Sequence, residues 1–308
     1  MDKHSATVII PTYNRLQELK LTLDSLVFQK CCYPFEVIVA DDGSSDNTKA
    51  VIDSYIGKLN IKYVFHEDKG FRAGVARNMG ISLAKGEVCI FVDNGVVLHS
   101  KAIESHIKTH KKEVNPCLVI GYVHGFEVER DKVKELQEIV KNHNPDEAIE
   151  ILRRIDILDV REDYYQVLGE DFSKWLAPFS ICWSCNISVT TDAVRQYGMF
   201  DENFVGWGAE DLDFGMTMFR NNVKYILCRN ASSIHYPHEK SHIFSLEPTK
   251  IGKLNGQQLR DLIQYRKKQQ YMVKKHGIPE VEIWAEVGHP VELENLLVSK
   301  RGCDNGKA

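Results

Sequence analysis

Phe35-Glu36-Val37-Ile38-Val39-Ala40-Asp41-Asp42-Gly43-Ser44-Ser45-Asp46 reads as one apolar strand that stops at a polar, glycine-containing turn. The run is nearly continuous in apolar residues rather than alternating. That marks a strand covered on both faces, as in parallel sheets flanked by helices. The same unit recurs on either side. Thr7 to Ile10 is a β-branched run ending in Pro11-Thr12-Tyr13-Asn14, and strands are expected at Ile61 to Phe65 and Val88 to Val92. Asn14, with Gln17 at the third position, is expected to cap a helix whose buried stripe is Leu16, Leu19, Leu23 and Leu26. Further helices are expected at about 47–55 and 73–84. Alternating strands and helices predict an α/β fold with a mostly parallel central sheet and helices on both faces.

In such a sheet the residues just past each strand come to one edge, where ligands bind. Tyr13, Asp41, Asp42, His66, Asp68 and Asp93 share that edge. Asp41 precedes Asp42 by one residue, so it points to the other face of the pleat and is expected to satisfy nearby backbone. No GxGxxG comes after the first strand and no GxxxxGK[ST] occurs, which argues against a dinucleotide or P-loop enzyme. The glycine-rich, arginine-containing loop of nucleotidyltransferases is missing too.

The 308 residues, 43% hydrophobic and 27% charged, suit one large or two closely packed domains. A formal charge of -4 argues against nucleic acid as a partner. No apolar run approaches the ~18 residues of a membrane span, and Met1-Asp2-Lys3-His4 lacks a signal-peptide pattern. Peripheral contact with a membrane stays open. The eight cysteines lie scattered, several in apolar runs, the pattern of reduced thiols in a cytoplasmic protein. Cys182-Trp183-Ser184-Cys185 has CxxC spacing without the second pair a zinc site needs.

In the second half, Gly206-Trp207-Gly208-Ala209-Glu210-Asp211-Leu212-Asp213-Phe214-Gly215 gathers a Trp, glycines and three carboxylates at the expected start of a helix. Acids favour that end of the dipole, so a glycine turn with an acidic first turn is one reading. A Trp between two glycines has few local packing partners and makes a platform for a sugar ring. The other reading is therefore an acceptor-binding loop with a general base. Between about 126 and 175, Val133, Leu136 and Val140 mark a helical face, and Asn144-Pro145-Asp146-Glu147 opens another helix. Trp175, Phe179 and Trp183 line an acceptor channel or belong to the core. Strands are expected at Asn186 to Thr190 and Lys224 to Cys228, then a loop with His235 and His238. A basic helix at about 256–276 carries Leu259, Leu262 and Ile263 on one side.

Thr7 to Arg15, Val39 to Asp46, Ala76-Arg77-Asn78-Met79-Gly80 and Phe91-Val92-Asp93 resemble family-2 glycosyltransferases of the GT-A fold. Asn186 to Val189, Gly198 to Glu202, the Trp207 loop and His235 resemble the galactosyltransferase-type C-terminal segment. That segment occurs in chondroitin-polymerase-like, polypeptide N-acetylgalactosaminyltransferase and β-1,4-galactosyltransferase enzymes. The resemblance implies that Tyr13 stacks on uracil, Asp42 accepts from its ring N–H, and Pro11, Arg15 and Asn94 join the donor site. Arg77 is implied to reach the diphosphate or ribose. Asp93 and His235 are implied to hold Mn²⁺ or Mg²⁺. The chain departs from the usual Asp-X-Asp or Asp-X-His at Asp93-Asn94-Gly95, where Gly95 supplies no ligand.

Asp211 is implied as general base with Glu210 beside it, and Trp207, Gly208, Asp213 and Trp183 face the acceptor or the sugar. A helix start should lower the pKa of Asp211, so compensating desolvation, assigned to Trp207, is expected. The expected organisation is a UDP-sugar-binding half at 1–125, a helical insertion at 126–180, an acceptor half at 181–245 and a helical extension at 246–308. The expected function is inverting transfer of a hexose or N-acetylhexosamine, galactose type favoured, from a UDP-sugar to a hydroxyl of a glycan, peptide or small molecule. The alternative is a non-catalytic nucleotide-sugar or glycan-binding protein on the same fold, prompted by Gly95.

Overall fold

The apolar runs become strands of a single eight-stranded sheet in a computed structural model that describes residues 4–237 and 256–305. In chain order these are β1 (Ala6–Thr12), β2 (Phe35–Asp41), β3 (Ile61–Phe65), β4 (Val88–Val92), β5 (Val96–Leu98), β6 (Cys117–His124), β7 (Asn186–Thr190) and β8 (Lys224–His235). Their spatial order is β3-β2-β1-β4-β7-β6-β8-β5. The β3-β2-β1-β4 half is parallel throughout, as the doubly covered runs predict. In the other half β7 runs antiparallel to both β4 and β6, and β5 antiparallel to β8. The four strands read in the first hundred residues fall where expected.

Helices α1 (Leu16–Val27), α2 (Thr48–Asp53) and α3 (Ala73–Leu83) make the first crossovers. Leu19, Leu23 and Leu26 of α1 are buried against β1, β2 and β4. Asn14 does not cap α1. It takes a left-handed φ of 48°, and its Oδ1 accepts from the Ser45 and Asp46 backbone N–H groups at 2.8 and 3.3 Å. Asn14 thus ties the turn after β1 to the turn after β2, and α1 starts at Leu16 with no side-chain cap. The reason is competition: an amide that satisfies two donors of a neighbouring loop is withdrawn from its own helix.

α4 (Ala102–Lys112) and the wholly buried β6 come next in the chain. After them lie α5 (Val133–Asn142), α6 (Pro145–Arg154) and α7 (Glu162–Leu168). Asn144 does cap α6, in a full capping box with Glu147. The insertion packs on the sheet: Leu136, Ile139, Val140, Ile149 and Leu152 form one core cluster with Val97 of β5 and Ile234 of β8. Trp175 and Phe179 are buried in the core, which closes the channel reading for both. The short α8 (Thr191–Tyr197) succeeds β7, and α9 (Glu210–Arg220) begins at the acidic run.

The chain divides into two compact units, residues 1–237 and 238–308. The first holds the sheet and every site residue proposed from the sequence. The second contains α10 (Gly256–His276), α11 (Pro279–Val287) and α12 (Pro290–Asn305). On α10 the buried line is Gln269, Met272 and His276, whereas Ile263 is exposed. That corrects the expected face: the buried spacing is three and four residues, one helical stripe, and Ile263 falls outside it. The side chain of Leu259 lies outside the described residues. No helix among the described residues is long and apolar enough to cross a membrane.

Candidate active site at the strand ends

The strand ends gather around the segment from His66 to Asn78, which leads from β3 into α3. Asp42, just past β2, is buried, and its Oδ2 accepts the Arg72 backbone N–H at 2.6 Å. Its Oδ1 lies 2.8 Å from Nε2 of His66. Tyr13 keeps an exposed ring and donates its hydroxyl to Asp68 at 2.8 Å. Asp41 does what the pleat predicts: Oδ1 accepts from the N–H groups of Gly43 and Ser44, and Oδ2 from the Tyr63 hydroxyl. Gly43 has φ +100°, and a Cβ there would stand 2.4 Å from the Asp68 backbone N. Only glycine lets this segment lie so close over the end of β2.

The same segment reaches the late acidic loop. The Gly206 N–H donates to the Phe71 carbonyl at 2.9 Å. Arg77, on α3, is buried and donates to Asp93 at 2.8 Å and to Glu210 at 3.1 Å. Its guanidinium lies 5.1 Å from the Phe200 ring centroid. Phe200 stacks on Phe214 at 4.4 Å, and Phe91 packs edge-on against both. Asn78 holds Phe200 by bonds to its N–H and carbonyl and also donates to Glu202. Sequence reasoning placed Asn78 within Ala-Arg-Asn but gave it no role. An amide beside a buried arginine on a helix was the available signal.

Arg77 was expected to reach a phosphate or ribose. Each of its terminal nitrogens donates to one carboxylate and keeps a second N–H, and Nε is buried with no hydrogen-bond partner among the described residues. It is a clamp between two halves of the site. Glu210 keeps Oε2 buried and without a hydrogen-bond partner among the described residues. Asp211 is half-buried, and withdrawal from solvent raises its pKa to about 7, helped by the negative charge of Glu210 and opposed by Arg77 and the Leu212 N–H. Burial therefore outweighs the helix start. Asp213 is wholly buried, so it has no surface to offer a sugar.

Trp207 is 42% exposed at the rim, in a loop where Gly206, Gly208 and Ala209 have φ of +78°, +85° and +79°. Ala209 is the strained member, since an L-residue rarely adopts that region. Trp183 is half-buried, stacked on Phe126 at 5.2 Å with the Arg161 guanidinium over its ring. Pro11 is buried within β1, and Arg15 serves the turn through its backbone carbonyl, which accepts from Asn94. Asn94 also donates to Thr12, so its amide nitrogen fastens this turn, while Oδ1 is buried and unpartnered among the described residues.

Asp93 and His235 come to the same part of the sheet: β5 begins three residues after Asp93, and Val96 pairs with His235. His238 lies outside the described residues. Among those described, no group of three or more His, Cys, Asp or Glu side chains forms a ready metal cage. Gly95 adopts φ +95°, so an acid there would strain the turn. Two protein donors, one carboxylate and one imidazole, suit a hard divalent cation that draws its remaining ligands from a diphosphate and water.

A mixed sheet with Tyr13 and Asp42 at the ends of its parallel half and a carboxylate loop on the other has the GT-A fold of sugar transferases. The chain belongs to glycosyl transferase family 2, whose model matches residues 7–184. It is 35% identical over 241 residues to validoxylamine A glucosyltransferase of Streptomyces hygroscopicus subsp. jinggangensis, covering 77% of this chain and 56% of that protein. It is 33% identical over 223 residues to chondroitin synthase of Pasteurella multocida, 69% of this chain and 23% of that one. The chain thus spans about half the length, or less, of these relatives. Among solved structures, S. aureus TarS 1-349 in complex with UDP-GlcNAc matches with a TM-score of 0.56 and 21% identity, over 91% of this chain and 66% of that one. At that identity the likeness is one of fold.

Proposed function

We propose that the chain is an inverting glycosyltransferase that moves a hexose or N-acetylhexosamine, galactose type, from a UDP-sugar to an acceptor hydroxyl. The observation that carries this is Asp211: a half-buried carboxyl raised to about 7, one residue from Glu210 and in the field of Arg77. A general base works best with a pKa near the operating pH. Trp207, four residues earlier and exposed, would back an acceptor ring.

In this reading Tyr13 and Asp42 take the uracil, and Asp211 receives the proton of the acceptor hydroxyl. The acceptor oxygen bonds to the anomeric carbon as the bond to the UDP oxygen breaks on the opposite face, so the configuration inverts. Glu210, with Oε2 free, orients a sugar hydroxyl. Asp93 and His235 would hold Mn²⁺ or Mg²⁺, which supplies positive charge to the departing diphosphate. Arg77 keeps Asp93 and Glu210 in register across the cleft. The acceptor is a glycan, a peptide or a small molecule. A cytoplasmic setting agrees with the cysteines: the seven with described side chains are all free thiols.

The test is UDP release from a panel of UDP-galactose, UDP-N-acetylgalactosamine and their glucose epimers, with Mn²⁺ and candidate acceptors. The expected result is turnover with a galactose-type donor, and an Asp211→Asn variant that binds UDP as the parent does but loses transfer by ~10²–10⁴-fold. Normal turnover by that variant would remove Asp211 as base. UDP binding without release from any donor would favour the non-catalytic reading.

A further inference from the structure

Asp261 is the single acid of α10, against six lysines and arginines. The helix sorts them: the side turned to solvent holds Arg260, Arg266, Lys267, Lys274 and Lys275, while Asp261 stands half-buried on the flank. A solvated helix face ordinarily mixes both signs, because acid–base pairs one turn apart support the helix. This face forgoes such pairs in a chain whose net charge is -4. Arg266 is turned back on its own unit, donating to Gln269 Oε1 at 3.0 Å and to the Ala285 carbonyl at 3.1 Å. The other four cations are strung along ~22 Å of helix. Two large apolar side chains lie among them. Ile263 is 48% exposed and Tyr271 38%, and with Lys267 between them they follow one line of the helix at spacings of four. The packing of α10 makes no use of this line, since its buried residues Gln269, Met272 and His276 lie on the opposite side.

We propose that this face of α10 docks the protein on an anionic lipid surface, the cations against the headgroups and Ile263 and Tyr271 in the boundary between headgroup and acyl chain. The inference stands apart from the transfer reaction. A polyanion in solution would answer the cations but leave Ile263 exposed, whereas a charged bilayer satisfies both kinds of side chain. Tyrosine, with an apolar ring and a polar tip, suits that boundary. Two apolar side chains are few, so the attachment is reversible and depends on negatively charged lipid. The cytoplasmic leaflet is the surface of that kind.

The experiment is sedimentation of the full chain with vesicles of phosphatidylcholine alone, or with about one-third phosphatidylserine. The expected result is binding to the mixed vesicles at about 0.1 M salt and release at ~1 M, where the screening length shrinks to ~3 Å. Neutral vesicles should bind little. Lys267→Gln combined with Lys274→Gln should weaken binding ~25-fold, about fivefold for each charge removed. Ile263→Ser should weaken vesicle binding ~5-fold and leave the affinity for soluble polyphosphate as it was. All three positions are exposed, so both variants should melt at the parent's temperature. No binding to mixed vesicles, equal binding to neutral ones, or parental binding by the double variant overturns the inference. Parental vesicle binding by Ile263→Ser, with polyphosphate displacing the vesicles, overturns it in favour of a soluble polyanion.

Discussion

Arg77 is the residue on which the site's charges meet. One guanidinium serves Asp93 and Glu210 directly and lowers the cost of ionising Asp211 nearby. Breaking a buried ion pair by removing one partner leaves the other charges uncompensated, at a cost of ~3–5 kcal/mol. Arg77→Met should lower the unfolding free energy by that amount, read as a lower denaturant midpoint in equilibrium unfolding. Glu210→Gln tests the coupling more gently. The proposed base Asp211 would work in its ionised form, so on that reading kcat/KM should rise with pH through about 7. Removing the neighbouring negative charge lowers the pKa of Asp211, so this rise should move to lower pH in Glu210→Gln. A pH profile that stays in place would show that Glu210 does not raise Asp211.

At the scale of elements, the segment from His66 to Asn78 holds both halves of the cleft, and Gly43 sets how closely it lies. Gly43→Ala combines a strained φ with a 2.4 Å approach to the Asp68 backbone, which cannot yield as a side-chain tip can. The expected cost is ~1–3 kcal/mol of stability, read as a lower Tm, with weaker UDP binding because Asp42 and Tyr13 both lean on the displaced segment.

Elements whose burial is apolar were readable in advance: β1 to β4, the stripe of α1, the cap of α6 and the start of α9. α4 was not. Its buried face carries Glu104, His106 and His110 beside Ile103 and Ile107, so the apolar period is interrupted by polar groups. Asn14 misled for a related reason, since its preference for capping was overruled by a loop thirty residues away. The convergence of Tyr13 and Asp42 with Trp207 and Glu210 was legible only as a shared edge. The bonds that join them, through Phe71, Arg72 and Arg77, depend on three-dimensional proximity that no local pattern encodes.

Over the whole molecule, the polar interior has a consequence for acid stability. The Cys117 thiol faces His110 Nδ1 at 3.3 Å, His110 and His106 both meet the Ser188 hydroxyl at 2.8 Å, and His106 Nε2 meets Asn186 Oδ1 at 2.9 Å. The Asn186 amide nitrogen donates elsewhere, to Ala231 and Ser233, so Oδ1 is the acceptor and the tautomers along the row are fixed. Burial lowers His106 to about 4 and His110 to about 3. The unfolded chain takes up these protons near pH 6.5 and the folded chain does not, so their contribution is lost as pH falls from there toward 3. Asp211 acts oppositely, because its folded pKa is raised and protonation there favours the native state below about 7. Burial also lowers His99 and His124 and raises Asp42, so four histidines stand against two aspartates; Tm should fall between pH 6.5 and 4, and fall more steeply in Asp211→Asn. A Tm that holds level in both proteins would contradict the neutral-histidine core.

The bridge from Arg77 to Glu210 spans 133 positions of sequence. During synthesis at ~5–20 residues per second, Glu210 is added about 7–27 s after Arg77 has left the peptidyl-transferase centre. For most of that interval the nascent N-terminal half carries a cation destined for an interior that does not yet exist, with Asp93 already made as its partner. The parallel half of the sheet, complete at Val92, is therefore made before the bridge can close, whereas β8 follows Glu210.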